Sequence, residues 1–230
     1  MKKYISIILA AVLVLFTAGC KKESAGVTRI TYYPTITLSG DEYVFVNTGS
    51  TFTDPGYEAV MNGEDVSSQV VITTDLDTST PGLYVISYSL VNSDGISAAA
   101  KRYVIVRDAT DTVSGWYTCQ TGTNRVYSGP VPYSGYSVLF YPYAGAANTY
   151  NCTDLLAGWY DQRAGYGSNY ACVGRVRVTG GAVTLLAGQV PGWSSYPVSM
   201  AGGTYTAATN TMTYTLTFAG MDFYIILKKD

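Results

Sequence analysis

An all-β chain is what this sequence predicts, with a β-sandwich followed by an antiparallel β-barrel. Three observations predict it. Short runs rich in β-branched and aromatic residues recur along the chain, separated by Gly, Pro, Asn and Asp. No stretch of residues 113–230 carries apolar side chains at the helical period. Thr211-Met212-Thr213-Tyr214-Thr215-Leu216-Thr217-Phe218 alternates strictly, one face Thr and the other apolar, which marks a half-buried strand.

Residues 1–19 belong to neither unit. Met1-Lys2-Lys3 is a short basic start, and Tyr4 to Ala18 is almost wholly apolar. That run has the length of a signal-peptide core and is short of the roughly 20 residues a spanning helix needs. Its end, Phe16-Thr17-Ala18-Gly19-Cys20, resembles the bacterial lipobox. The resemblance implies cleavage before Cys20, diacylation of its sulfur and acylation of the new amino group. Several acyl chains make physical sense, because each buried methylene contributes about 0.8 kcal/mol and one chain anchors only marginally. The alternative is an ordinary signal peptide with a chance cysteine. Residues 20–28 then form a lipidated cysteine and a polar tether. Lys21-Lys22-Glu23-Ser24 resembles the charged tags of surface-exported lipoproteins, and no Asp follows Cys20 to argue for inner-membrane retention. The expected location is therefore the outer membrane, facing the cell exterior.

Loss of Lys2 and Lys3 moves the balance from 14 basic against 16 acidic residues to 12 against 16. The basic residues are scattered, so nucleic acid is not an expected partner. No later run approaches the length of a second membrane segment.

Residues 29–107 read as short strands. Tyr43–Val46, Gln69–Thr73, Leu83–Leu90 and Tyr103–Val106 are separated by Ser39-Gly40-Asp41, Asp54-Pro55-Gly56, Asn62-Gly63, Pro81-Gly82 and Ser93-Asp94-Gly95. Turns every 8–12 residues over about 80 positions suggest an immunoglobulin-like sandwich. The wording is more specific. Ser50-Thr51-Phe52-Thr53-Asp54-Pro55-Gly56-Tyr57-Glu58-Ala59 resembles the opening signature of bacterial immunoglobulin-like modules of surface and crystal proteins. Thr80 to Tyr88, Asn92 to Gly95 and Arg102 to Val106 resemble that family's closing strands. The resemblance implies a spacer without a catalytic site.

Residues 108–112 read as a linker. Asp111-Thr112-Val113 resembles the short O-glycosylation signal of some gut anaerobes, which would modify Thr112. Residues 113–230 hold 14 of the 22 tyrosines, all three tryptophans and no glutamate. Strands are expected at 116–120, 136–141, 169–178, 182–187, 211–218 and 222–227, the last pair joined across Ala219-Gly220-Met221. An antiparallel meander closed into a small barrel removes its sticky edges. Asp154-Leu155-Leu156-Ala157-Gly158-Trp159-Tyr160, Gly165-Tyr166-Gly167, Gly203 to Thr211 and Phe223 to Leu227 resemble the lipocalin-like C-terminal domains of lipoproteins that accompany glycan-uptake systems. That family is functionally uncharacterised, and the likeness implies a barrel and possible company with outer-membrane uptake proteins.

Chemistry is sparse. Histidine is absent, which removes the commonest general base, the Ser-His and Cys-His pairs and His-ligated metals. Beyond Cys20, Cys119, Cys152 and Cys172 lack the Cys-x-x-Cys spacing of structural zinc. They can form at most one bridge, and buried free thiols are the favoured reading. The second unit offers only Asp154, Asp161, Asp222 and Asp230 as a carboxylate pair for glycoside hydrolysis, and turn capping by Asp154 and Asp161 is the favoured reading. Asp41, Asp54, Asp65, Asp75 and Asp77 match no calcium loop. No catalytic residue, metal or cofactor is expected.

Aromatics are the remaining signal. Trp159, Tyr160, Tyr166 and Tyr170 cluster around one Gly-rich loop, and Trp193 with Tyr196 marks another. Sugars present flat C–H faces that stack on rings, while a small barrel also needs aromatic filler. The expected function is non-catalytic glycan binding at the cell surface, through Trp159, Tyr160, Tyr166, Trp193 and Tyr196, with Asp161 as hydrogen-bond acceptor. The alternatives are a structural or protein-interaction component of an envelope complex, and a carrier of a small apolar ligand in the barrel lumen.

Overall fold

The computed structural model describes residues 30–230. The leader, Cys20 and the whole of the tether lie outside the described residues. Among the described residues no helix is long and apolar enough to cross a membrane.

Seven strands build the first unit: β1 (Thr35–Leu38), β2 (Tyr43–Asn47), β3 (Tyr57–Met61), β4 (Glu64–Asp65), β5 (Val71–Thr74), β6 (Gly82–Val91) and β7 (Ser97–Arg107). They form two sheets, β1-β3-β4 and β2-β7-β6-β5, with β2 parallel to β7. Alternation fills the space between them: Ile86, Tyr88, Val104 and Val106 meet Ile36, Leu38, Phe52 and Tyr57. The Asp54-Pro55-Gly56 signature now has a physical cause. Arg102 is fully buried, and its Nε lies 3.1 Å from Asp54 Oδ1. Its other N–H groups donate to the carbonyls of Asp41, Ser39 and Gly56, and Tyr88 Oη donates to Asp54 Oδ2 at 2.5 Å. One guanidinium therefore ties the 39–41 turn, the 54–56 turn and β7 together.

Ten strands follow: β8 (Gly115–Cys119), β9 (Asn124–Val126), β10 (Pro130–Pro132), β11 (Ser137–Pro142), β12 (Thr149–Cys152), β13 (Val173–Thr179), β14 (Ala182–Gln189), β15 (Val198–Thr206), β16 (Thr211–Phe218) and β17 (Met221–Lys229). Strands β8 and β11 to β17 form an eight-stranded antiparallel barrel, closed where Leu227 to Lys229 pair with Cys119 to Tyr117. The β9-β10 hairpin extends from β17. In β16, Met212, Tyr214, Leu216 and Phe218 are buried as the alternation predicts. Ala219 and Gly220, at φ 51 and 73, make the two-residue turn into β17.

The outer face of the barrel meets the first unit. Tyr43 stacks on Tyr103 at 4.7 Å and meets Trp116 edge-on at 5.2 Å. Arg107 Nη1 donates to Ser114 O at 2.8 Å. Leu139 of β11 and Ile105 of β7 are buried although their neighbours in sequence face the two cores.

The strand expected over 169–178 begins only at Val173. Ser168–Tyr170 is a 3-10 turn instead, because the segment between β12 and β13 folds back into the barrel.

Candidate functional site: rings at the mouth of a plugged barrel

The segment between β12 and β13 plugs the barrel. Leu155, Leu156 and Ala157 are fully buried among Tyr133, Val138, Phe140, Tyr214 and Phe223. Asp154 holds both ends of the plug. Its Oδ1 accepts the N–H of Leu156 at 2.8 Å and of Cys172 at 2.9 Å, and its Oδ2 accepts that of Gly158 at 3.0 Å. Leu155 N–H donates to Cys172 O at 2.7 Å. No cation pairs with this carboxylate among the described residues. Burial therefore outweighs the three amide bonds, and its pKa is pushed up to about 6. Two tyrosines complete the tie, Tyr133 Oη donating to Leu156 O and Tyr214 Oη to Leu155 O. Close approach requires two glycines. A Cβ at Gly158 (φ 82) would sit 2.5 Å from Tyr136 Cβ, and one at Gly174 would run into Leu155 Cδ1.

Beyond Gly158 the chain makes a π-helical turn, Trp159–Arg163. Trp159 is 6% exposed and Tyr160 9%. Trp159 packs edge-on to Tyr133 and Phe223, and Tyr160 edge-on to Trp193 and Phe218. Both rings are thus core filler at the barrel end, and neither offers a free face to a sugar. The reason is visible in the turn: the plug must close over β16 and β17, and these two residues supply the closing volume.

The exposed rings lie just outside. Tyr166 is 55% exposed and Tyr196 51%, with half-buried Trp193 packed against the rings of both Tyr166 and Tyr170. Tyr170 seats on Gly192, where no side chain would fit. The Tyr166 and Trp193 planes stand at 84° to each other. The patch is an edge-to-face cluster rather than a set of parallel plates.

Asp161 is not part of this patch. It lines a separate cleft of about 550 Å³ on the barrel exterior with Asn151, Ser168, Arg175 and Gln189. Tyr141, Asn151 and Arg175 stand in one row across β11, β12 and β13. The Arg175 guanidinium lies over the Tyr143 ring and donates to Asn151 Oδ1 at 3.1 Å. This row escaped sequence reasoning because it exists only in the register of three strands, one of which, β12, carries no strong strand signal.

The other carboxylates are engaged structurally. Asp222 accepts from Thr217 and Asp230 from Thr118, each at 2.7 Å. Cys119, Cys152 and Cys172 are free and buried, and burial pushes all three thiols up. Among the described residues no cluster of three or more His, Cys, Asp or Glu could hold a metal. Thr112 is exposed, while its carbonyl accepts from Tyr205 Oη at 2.6 Å and Lys229 Nζ at 2.8 Å.

A sandwich docked on a plugged barrel defines a two-domain all-β architecture, and comparison with known proteins agrees. Residues 36–106 match the family of bacterial surface protein Ig-like domains, and residues 106–229 match a family described as a C-terminal domain. The chain is similar to the lipoprotein BT2262 from Bacteroides thetaiotaomicron, at 37% identity and a TM-score of 0.75, over 86% of this chain and 100% of that chain. It belongs to the family of that lipoprotein. A structure of CBM51-2 in complex with GlcNAc and INT domains, from Clostridium perfringens ZmpB, aligns over 85% of this chain and 44% of that chain. At 13% identity and a TM-score of 0.28 that likeness carries no argument. No curated protein matches.

Proposed function

We propose that this protein is a non-catalytic lipoprotein of the cell envelope, held to the outer membrane through Cys20 and facing the exterior, that captures glycans on Tyr166, Trp193 and Tyr196. The lipobox resemblance and the likeness to a solved lipoprotein support the anchor. The observation that carries the glycan reading is the ring patch: Tyr166 and Tyr196 stay half exposed on loops beside Trp193, which packs against the rings of Tyr166 and Tyr170. Apolar ring surface left in water is unfavourable unless a ligand covers it, and sugar C–H faces suit it. Trp159 and Tyr160 hold the patch from beneath. The Ig-like module stands the barrel off the membrane.

The lumen-carrier alternative loses support, because Met212, Leu216, Phe218, Phe223 and the plug fill the interior. A protein-partner reading keeps one specific observation. Strand β5 is a sheet edge, with Val71 60% and Ile72 47% exposed, a form suited to strand addition.

A glycan array followed by calorimetry on the chain from residue 21 tests the main reading. Millimolar or tighter binding is expected, with loss of about tenfold or more in Trp193→Ala and Tyr196→Ala; no glycan bound, or affinity unchanged in both variants, refutes it. For the anchor, Cys20→Ser should abolish the acyl mass and the membrane fraction.

A further inference from the structure

Two cations share one indole at the edge of this patch. The guanidinium carbon of Arg125, from β9, lies 5.0 Å from the Trp159 ring centroid, and that of Arg163, from the π-turn, lies 4.2 Å from it. Like charges held this close repel, and a protein normally places a carboxylate between them. None is here among the described residues: Asp154 is bound to three amides, Asp222 to Thr217, Asp230 to Thr118, and Asp161 lines the other cleft. Moreover, Arg125 Nε is buried with no hydrogen-bond partner. An orphaned buried donor costs about 1–3 kcal/mol, more when charged, so an unneutralised pair is poised for an oxyanion.

We infer that Arg125 and Arg163 form an anion subsite for an acidic saccharide, one bearing carboxylate or sulfate groups, beside the ring patch. The inference rests on the glycan reading above and narrows it. Continuity comes through the rings: Trp159 meets Tyr160, and Tyr160 in turn neighbours Tyr166 and Trp193. A guanidinium fork takes carboxylate or sulfate through paired, charge-assisted hydrogen bonds, and the rings take an adjacent sugar face. Each guanidinium is held by its contact with the same indole, which offsets part of their repulsion.

The test is calorimetric titration of the chain from residue 21 with an oligogalacturonate tetramer, its methyl-esterified neutral counterpart, and inorganic sulfate. Acidic-tetramer binding should be at least tenfold tighter than that of the ester and should weaken with added salt. Arg163→Gln, an exposed position in a turn, should weaken it about tenfold without shifting the melting temperature, and Arg125→Gln should weaken it as much. Equal affinity for ester and acid, or unchanged affinity in both variants, overturns the inference. Sulfate binding as tightly as the tetramer overturns the saccharide part. If the ester binds equally and Trp193→Ala abolishes that binding, the ring patch stands and the anion subsite falls.

Discussion

Both halves of this chain use a carboxylate to hold an irregular segment, part-exposed Asp54 in one and buried Asp154 in the other, and they neutralise it differently. In the Ig-like unit Asp54 pairs with Arg102, whose remaining N–H groups satisfy three turn carbonyls. In the barrel Asp154 has no cation and relies on three backbone N–H groups. A guanidinium can serve one carboxylate and several carbonyls at once, so it suits the joining of two turns to a strand. Backbone amides suit a plug, since the chain itself supplies them wherever it turns inward. The difference is one of pH: the amide-bound carboxylate is left with its burial cost exposed to titration.

The largest expected effect breaks the first arrangement. Arg102→Met removes the cation from Asp54, which keeps only the Tyr88 hydroxyl and the Gly56 N–H, and takes one donor each from the carbonyls of Ser39, Asp41 and Gly56, and should cost about 3–5 kcal/mol. Calorimetry should show the Ig-like transition moving down sharply, with the barrel transition moving much less.

The second arrangement responds to pH. Asp154 is raised from 3.8 to about 6, so the native state binds its proton more readily than the unfolded chain does. Its contribution is fully present below pH 3.8 and is lost as pH rises through about 6. Asp154→Asn cannot titrate and keeps only one acceptor oxygen, so below the window it should be less stable than the parent by about 1–3 kcal/mol. The gap should narrow as pH rises from 4 to 7. Thermal melts of both proteins across that range check it, and parallel curves would refute the assignment.

A smaller effect separates the plug's packing from its charge. Gly174→Ala forces a Cβ against Leu155 Cδ1 and within 2.8 Å of Ala187 O. It should cost about 1–3 kcal/mol through overpacking, independent of pH.

Much of the architecture was legible in the residues. Strict alternation placed β16 within its observed bounds, Leu83–Leu90 covered most of β6, and Tyr103–Val106 marked only the end of β7. Strand β15 was missed because Met200-Ala201-Gly202-Gly203 carries little β-propensity and the strand bulges between Met200 and Gly202. The π-turn was missed because one irregular turn has no period to detect.

The site was half legible. The residues placed Trp159, Tyr160, Tyr166 and Tyr170 around one loop and Trp193 with Tyr196 on another, while the packing of Trp193 on the rings of Tyr160, Tyr166 and Tyr170 exists only in the fold. Sequence could not tell Trp159 and Tyr160, which close the barrel, from Tyr166 and Tyr196, which face water. Nor could it pair Arg125 with Arg163, 38 residues apart, because only the plug brings them to one indole.

The central structural claim is that residues 154–160, with Ala171 and Cys172, are part of the barrel core rather than a lid over an open lumen. Native-state amide hydrogen exchange tests it most directly. The N–H groups of Leu156, Gly158 and Cys172 should exchange as slowly as those of β16. Exchange as fast as that of Ser194 to Tyr196 in the neighbouring loop would mean that the plug opens freely, and would contradict the account.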